Sequence, residues 1–366
     1  MTDAVKSERL FSLDLLRGLD MFLLTVVGPF FCALNEAVPL PGALYRQFQH
    51  AWGGFSLWDI IMPLFIFMCG AAVPFALGRR MKDGRPASGY WRHVLLRVAM
   101  LWVLGMIAQG RLLTLDPKLI SPFNNTLQSI ASGYLIAAGV MCIPSRKVQA
   151  VIPVVLAAVY AALLHFLGDY SPTGNFAQAV ERVVVRFLTP VGSRVLEIAD
   201  PGYTWWLTVL MFGAMTLCGM EATRILTSGA ARGVRLRRLF ALGGVLLAAG
   251  WALVPWIPSI KHLYTLTFTA QAMGWSCLAL AGLYGLTDVL GFRRGLGLLI
   301  LFGKNALLAY LAIEVFVCVF DAFGGFVMQG VPLWLGASAL PLAKWAAASA
   351  LLVVTLRYRD VYKRCR

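Results

Sequence analysis

A histidine and an aspartate stand close together in the segment QHAWGGFSLWDIIMPLF, and their types and spacing suit acid–base chemistry. His50 precedes a long apolar run and Asp59 lies just inside it. A carboxylate beside an imidazole can fix the tautomer of the ring and raise its basicity. Both properties suit a general base or a nucleophilic histidine. The spacing alone leaves two interpretations open: a catalytic pair, or a histidine at the edge of a membrane that takes no part in chemistry.

The segment SLDLLRGLDMF carries three charged residues within another apolar run. Asp14, Arg17 and Asp20 are spaced three apart, which puts them on one helix face where they can pair. They either anchor the helix at the cytoplasmic interface, or Arg17 helps to hold an anionic ligand that enters from the cytoplasm.

Other polar residues fall in or beside apolar runs, where a charge costs several kcal/mol and is therefore a candidate for function. Since lipid cannot accept these groups, we expect six of them to line one internal polar chamber. The six are Arg17, Asn125, Gln128, Lys261, Asn305 and Glu314.

The composition shows what kind of scaffold must position these side chains. Of 366 residues, 59% are hydrophobic and only 13% are charged, and the mean hydropathy is +0.75. An ordinary soluble domain has about 45–50% apolar and about 25% charged residues. These values exclude a soluble globular enzyme, a disordered chain and a coiled coil. They predict an all-α, polytopic integral membrane helix bundle.

Ten apolar segments approach the length of about 20 residues that a helix needs to cross a bilayer. They form one predicted domain, 1–366, with no soluble part. We expect the ninth to be kinked or broken at Gly303–Asn305, and an amphipathic stretch from Phe176 to Leu188 to lie on the membrane surface or cap the bundle. The predicted spans are 15–35, 55–77, 92–110, 124–143, 149–168, 204–226, 238–256, 265–287, 296–320 and 337–357.

The basic residues predict the orientation of the bundle. The net charge of +15 comes from 32 Lys and Arg against 17 Asp and Glu. Of these bases, 22 fall in the N-terminal part, the even-numbered loops and the C-terminal tail, and 7 fall in the odd-numbered loops. The positive-inside rule therefore predicts that both termini are cytoplasmic and that His50 faces outward. The bases thus indicate orientation in a membrane, not a nucleic-acid partner, and no residue spacing indicates a metal site.

Five blocks, in order along the chain, resemble the heparan-α-glucosaminide N-acetyltransferase family of transmembrane acyltransferases, and its bacterial branch most closely. They are RLFSLDLLRGLDMF (9–22), HAWGGFSLWDIIMPLFIFMCGAAVPFAL (50–77), NNTLQSIASGY (124–134), IPSIKHLYTLTFTA (257–270), and the pair TDVLGFRRG and FGKNALLAYLAIEVF within 287–316. The chain departs from the family pattern at Thr25, Ser129 and Ile260, so the pattern does not name the acceptor.

The resemblance implies that acetyl-CoA binds from the cytoplasmic side of the bacterial inner membrane and that its acetyl group passes to a sugar amine or hydroxyl outside. His50 matches the active-site histidine of the family and Asp59 matches its nearby aspartate. Asn305 and Lys261 match positions that line the cavity. Whether the histidine carries the acetyl group covalently is left open.

The remaining site predictions divide between the two substrates. Charge complementarity makes Arg17 and Arg97 candidates for the CoA phosphates, together with Asn305 on the CoA side. The candidates for contact with the acceptor are Asn125, Gln128, Lys261 and Glu314. Membrane lipid and a second copy of the chain are further expected partners.

Two other classes of function fit the same residues. A transporter or flippase for a glycan or small metabolite would also use polar residues in mid-span, a broken ninth span and Glu314. A non-catalytic membrane scaffold is the third interpretation. Only the acyltransferase demands CoA binding.

Overall fold

The computed structural model describes residues 10–82, 84–116, 123–188 and 204–364, and within them the chain is an all-α bundle of membrane-spanning helices. Seven helices in this part are long and apolar enough to cross a membrane, or eight if one bent pair counts as a single span. This confirms the predicted fold class. The seven are Phe11–Ala37, Leu57–Gly78, Tyr90–Ala108, Arg146–Leu167, Trp206–Leu226, Leu266–Val289 and Ala337–Tyr362.

Two of the ten predicted spans form helices that differ from the expectation. The fourth is the shorter apolar helix Thr126–Met141, because it starts only after its cap at Asn125. The seventh is Arg232–Ala252, whose first two turns carry four arginines and leave a short apolar part. The predicted break in the ninth span is confirmed, since Gly297–Lys304 and Ala306–Glu314 are bent by 76°.

The described residues form two compact units. The first comprises Trp52–Phe55 and Met62–Gly285, and the second comprises Leu10–Ala51, Ser56–Ile61 and Leu286–Arg366, each read within the described ranges. The prediction of a single domain over 1–366 stays a prediction.

The first unit contains a two-stranded hairpin and a set of long helices. The strands are β1 (Met81–Lys82) and β2 (Arg85–Pro86). Its helices are α4 (Ile61–Gly78, from Met62 on), α5 (Tyr90–Ala108), α6 (Thr126–Met141), α7 (Arg146–Leu167), α8 (Phe176–Leu188), α9 (Val209–Leu226), α10 (Arg232–Ala252) and α11 (Leu266–Tyr284).

The second unit contains the two ends of the described chain. Its helices are α1 (Phe11–Phe22), α2 (Gly28–Ala37), α3 (Gly42–Tyr45), α12 (Gly297–Lys304), α13 (Ala306–Glu314), α14 (Val317–Val327), α15 (Val331–Leu335) and α16 (Leu340–Arg364). A single π-helical turn, Leu23–Val27, joins α1 to α2 and makes them one span. Such turns are common at functional sites.

Close helix packing within each unit depends on glycine. In the first unit, a Cβ on Gly70 would collide with the carbonyl of Thr216 on α9. In the second unit, a Cβ on Gly18 of α1 would collide with the carbonyl of Leu299 on α12, and one on Gly303 would collide with the carbonyl of Asp14. Small residues at such crossings let backbones approach, as is typical of membrane bundles.

The predicted amphipathic stretch is helix α8 in the first unit. Its Glu181 is buried, and the carboxylate accepts a hydrogen bond of 3.1 Å from the backbone N–H of Trp206 at the start of the fifth long span. Burial raises the pKa of Glu181 to about 7, and the Trp206 N–H opposes that shift only in part. Contact of α8 with the membrane surface stays a prediction.

Candidate active site

The candidate catalytic pair lies in the second unit, where a loop meets the start of a span. A short 3₁₀ turn, Arg46–Phe48, is followed by extended backbone at Gln49 and then by His50. Ser56, also extended, is the N-cap of a second 3₁₀ turn, Leu57–Ile60, which leads into the apolar run. Asp59 is thus in the first turn of a span, where the helix dipole favours a negative charge.

Ser56 and Asp59 form a reciprocal capping box that fixes the carboxylate. One oxygen, Oδ2, accepts the backbone N–H of Ser56 at 2.9 Å and its hydroxyl at 2.7 Å. The side chain of Asp59 is only 3% exposed. The carboxylate is therefore held in one orientation, with its other oxygen, Oδ1, directed elsewhere.

That second oxygen meets His50: Oδ1 of Asp59 is 3.0 Å from Nδ1 of the imidazole. Because an ionised carboxylate can only accept, Nδ1 is assigned as the donor, and in the neutral ring Nε2 then carries the lone pair. The His50 side chain is 38% exposed, so the ring extends from a buried carboxylate towards open space. A fixed tautomer on an accessible ring is what a general base or a nucleophile requires.

The segment Trp52–Phe55, between Ala51 and Ser56, belongs to the first unit. Two of its residues are held there by hydrogen bonds. The indole N–H of Trp52 donates to the carbonyl of Tyr170 at 3.1 Å, and its ring stacks on His262. The N–H of Gly54, at a φ of +103° that favours glycine, donates to the carbonyl of Ser259 at 2.8 Å. The glycine at position 54 is therefore explained by a backbone conformation that a side chain would strain.

A cavity of about 460 Å³ in the first unit borders the same four residues. Aromatic side chains make up much of its wall, from Trp52, Tyr170 and Trp251. Its volume is within the range of about 300–1,000 Å³ found for small-molecule sites.

The predicted site residues of the second unit differ in their burial and in their contacts. Arg17 pairs with Asp14 at 3.9 Å. Asn305 is buried at the bend between α12 and α13; its amide donates to the carbonyl of Leu301, and its Oδ1 has no hydrogen-bond partner among the described residues. Glu314 is the half-buried last residue of α13.

The expected pairing along α1 is confirmed only for Asp14 and Arg17. Asp20 is fully buried, and neither of its carboxylate oxygens has a hydrogen-bond partner within the described part of the chain. Among the described residues, the three-residue spacing therefore gives an ion pair between Asp14 and Arg17 that does not extend to Asp20 by a hydrogen bond.

In the first unit, several predicted site residues have well-defined structural contacts. Asn125 is the N-cap of α6 and accepts the N–H of Leu127 at 2.6 Å. Gln128 accepts the N–H of Asn124 at 2.8 Å. The side chains of Asn125 and Gln128 are fully buried. These contacts stabilise the start of the helix. A binding role for Asn125 and Gln128 stays a prediction.

Arg97 and Lys261 also belong to the first unit. The guanidinium of Arg97 lies over the ring of Tyr134, 4.6 Å from its centroid, which is a cation–π contact. Lys261 is 3% exposed in a tight loop before α11, and its carbonyl accepts the N–H of Tyr264, a residue with φ of +46°. Three of the six residues predicted to line one chamber lie in each unit, and the single chamber stays a prediction.

Sequence reasoning missed Ser56, the residue that orients Asp59. The signal was present, because Ser-x-x-Asp before an apolar run is the signature of a capping box.

Within the described residues, no group of three or more His, Cys, Asp or Glu could hold a metal ion. A comparison of the sequence with models of known protein families and with curated proteins finds no match.

Proposed function

We propose that this chain is a membrane-embedded acetyltransferase that resembles the heparan-α-glucosaminide N-acetyltransferases, moving acetyl from cytoplasmic acetyl-CoA to an extracytoplasmic sugar amine or hydroxyl. The observation that carries the proposal is the exposed His50 imidazole hydrogen-bonded to the buried, capped Asp59. The proposed setting is the bacterial inner membrane with both termini in the cytoplasm, as the basic residues predict.

In the proposed reaction, Nε2 of His50 removes a proton from the acceptor amine or hydroxyl. The acceptor atom then forms a bond to the acetyl carbon while the carbon–sulfur bond breaks. CoA leaves as a thiolate, and the proton taken by His50 returns to that sulfur. In the covalent variant, Nε2 attacks the acetyl carbon of the thioester, the carbon–sulfur bond breaks and CoA leaves as a thiolate. The acceptor then bonds to the acetyl carbon, the bond from Nε2 to that carbon breaks, and the freed Nε2 takes the acceptor's proton and passes it to the thiolate. Asp59 stabilises the imidazolium or acyl-imidazole in both variants.

Two features of the structure support the proposed substrates. The buried Oδ1 of Asn305 has no hydrogen-bond partner among the described residues, and it could accept from an amide of the CoA arm. The aromatic walls of the 460 Å³ cavity suit the apolar face of a sugar ring. Arg17 and Arg97 stay the proposed contacts of the CoA phosphates, while Lys261 and Glu314 stay proposed contacts of the acceptor.

A transporter is the second candidate, because one observation favours it. The bend of 76° between α12 and α13 resembles the discontinuous helices that form ion and substrate sites in transporters. A transporter would need the bend and Glu314, and it would have no need of His50 paired with Asp59.

Purified protein in detergent decides between the two. We expect saturable CoA binding, measured by calorimetry, and release of the CoA thiol from acetyl-CoA that depends on added glucosamine. Protein that is folded but neither binds CoA nor releases the thiol would contradict the acetyltransferase. The same preparation, reconstituted in vesicles, would then be tested for uptake of glucosamine.

A further inference from the structure

A second and larger cavity, of about 600 Å³, lies entirely within the second unit. Its walls come from the π turn and α2, from α13 and α14, and from α16, and Trp58 contributes one side. It contains none of the residues assigned above to acetyl transfer. The inference drawn from it does not depend on the proposed function.

The cavity is long and runs parallel to the two helices that flank it. Along the first span it extends from Leu24 to Glu36, and along α16 it extends from Pro341 to Leu352. At a rise of 1.5 Å per residue, each stretch covers roughly 16–18 Å, about half of a bilayer's hydrocarbon thickness. The space therefore has the length of an extended acyl chain within one leaflet.

The two flanking helices run antiparallel, because the turn Ala337–Ala339 before α16 contacts α2, while Trp345, further along, lies beside Val26 and Phe30 around the start of α2. The two lining stretches can therefore be matched end to end. The ring of Phe30 packs on Trp345 with centroids 4.9 Å apart, and the Trp345 indole N–H donates to the carbonyl of Val26 at 2.8 Å. The Glu36 end of α2 therefore corresponds to the Pro341 end of α16. Leu24 and Leu352 mark the opposite end of the cavity, which is apolar.

Three charged side chains line the cavity, and Glu36 marks its polar end. Glu36 is one residue from the end of the span Phe11–Ala37, and Lys344 is in the early turns of the span Ala337–Tyr362. Asp321 on α14 is the third charged wall residue. All three are exposed to the cavity or to the outside, and α14 touches α16 at Lys344 through Gly324. Charges at span ends lie at the depth of lipid head groups.

This arrangement is complementary to one class of amphiphile. Two carboxylates in the cavity wall attract a cation that can donate hydrogen bonds, and one lysine attracts a phosphate. The apolar remainder accepts a hydrocarbon chain. We propose that the cavity binds an aminophospholipid, with its primary ammonium at Glu36 and Asp321, its phosphate at Lys344, and one acyl chain running towards Leu352.

Native mass spectrometry of the detergent-purified chain tests this with three lipids that share the same acyl chains. We expect phosphatidylethanolamine to bind about tenfold more tightly than phosphatidylglycerol, which has no ammonium. Phosphatidylcholine, whose quaternary ammonium has no N–H donor, should fall between them. Phosphoethanolamine without chains should not compete at equal concentration. Equal binding of the three lipids, or full competition by the free head group, would overturn the proposal.

Variants locate the effect in this cavity. The double substitution Glu36→Gln with Asp321→Asn keeps the side-chain shapes and should abolish the preference for phosphatidylethanolamine. Asp360→Asn, on α16 but outside the cavity, is the matched control and should keep the preference. Ala348→Phe fills the space beside the proposed position of the acyl chain and should weaken the binding of all three lipids. A preference that survives the double substitution, or lipid binding that Ala348→Phe leaves unchanged, would overturn the assignment.

Discussion

The two units use their buried polar side chains in different ways. In the second unit, buried Asp59 holds the imidazole of His50, which is 38% exposed. In the first unit, Asn125 and Gln128 are fully buried and their oxygens accept backbone N–H groups at the start of α6. Both kinds of side chain accept backbone N–H groups at the start of a helix. Asp59 differs because its second oxygen also holds an imidazole that is accessible from outside.

Glu181 gives the largest expected effect among the buried groups of the first unit. Because its pKa is raised from about 4.5 to about 7, the folded chain holds a proton that the unfolded chain has lost. The free energy of unfolding should therefore fall as pH rises from about 4.5 to about 7, by about 3 kcal/mol, and then level off. Thermal unfolding in detergent at several pH values measures this.

Glu181→Gln should remove most of that pH dependence. Asp169→Asn is a suitable control, since the pKa of this exposed carboxylate is lowered by the hydroxyl and N–H of Ser171 and its pH dependence has the opposite sign. If the free energy of unfolding changes equally between pH 5 and 7 in wild type and in Glu181→Gln, Glu181 is not the group responsible.

Asp59→Asn tests whether the negative charge of Asp59 is needed for the proposed role of His50 in acetyl transfer. The amide keeps the shape of the carboxylate but loses its charge, and a hydrogen bond to a charged group is worth about 1.5–3 kcal/mol. Acetyl transfer should slow roughly 10- to 150-fold. Ser56→Ala, which removes only the capping hydroxyl, should slow it less. A Ser56→Ala rate below that of Asp59→Asn would reverse the assigned order of importance.

Much of this arrangement follows from the sequence, and the exceptions have physical causes. The His50–Asp59 pair and the break before Ala306 are predictable, because nearby polar groups and a Gly-Lys-Asn interruption stand out within apolar runs. The π turn at Leu23–Val27 has no sequence signature. The capping contact of Asn125 is also predictable, because Asn is a preferred N-cap and its partner Leu127 is only two residues further along the chain. The lack of a hydrogen-bond partner for the Asp20 carboxylate among the described residues depends instead on tertiary packing.

Packing within the second unit can be tested on one helix with a matched pair of glycines. Gly303→Ala places a methyl group against the carbonyl of Asp14, whereas a Cβ on Gly297 meets open space. Overpacking typically costs about 1–3 kcal/mol. We expect Gly303→Ala to lower the melting temperature in detergent and Gly297→Ala to leave it unchanged or raise it slightly. Equal melting temperatures would contradict the close crossing of α1 and α12.

Asn125 gives the smallest effect and sharpens the comparison between the units. Loss of an N-cap costs about 1 kcal/mol, so Asn125→Ala should lower the stability and Asn125→Ser, which can still cap, should restore most of it. Equal stability of wild type and Asn125→Ala would contradict the capping role. An acceptor KM raised in the stable Asn125→Ser variant would assign a binding role in addition.

The most direct test of the central claim is a single-turnover measurement of acetyl transfer by His50→Ala, with CoA affinity measured on the same sample. His165→Ala, which alters an exposed histidine in the first unit, is the control. The account predicts that His50→Ala slows transfer by about 10²–10⁴-fold or more, with CoA affinity within about twofold of wild type, and that His165→Ala transfers normally. Transfer by His50→Ala at the wild-type rate would contradict the account.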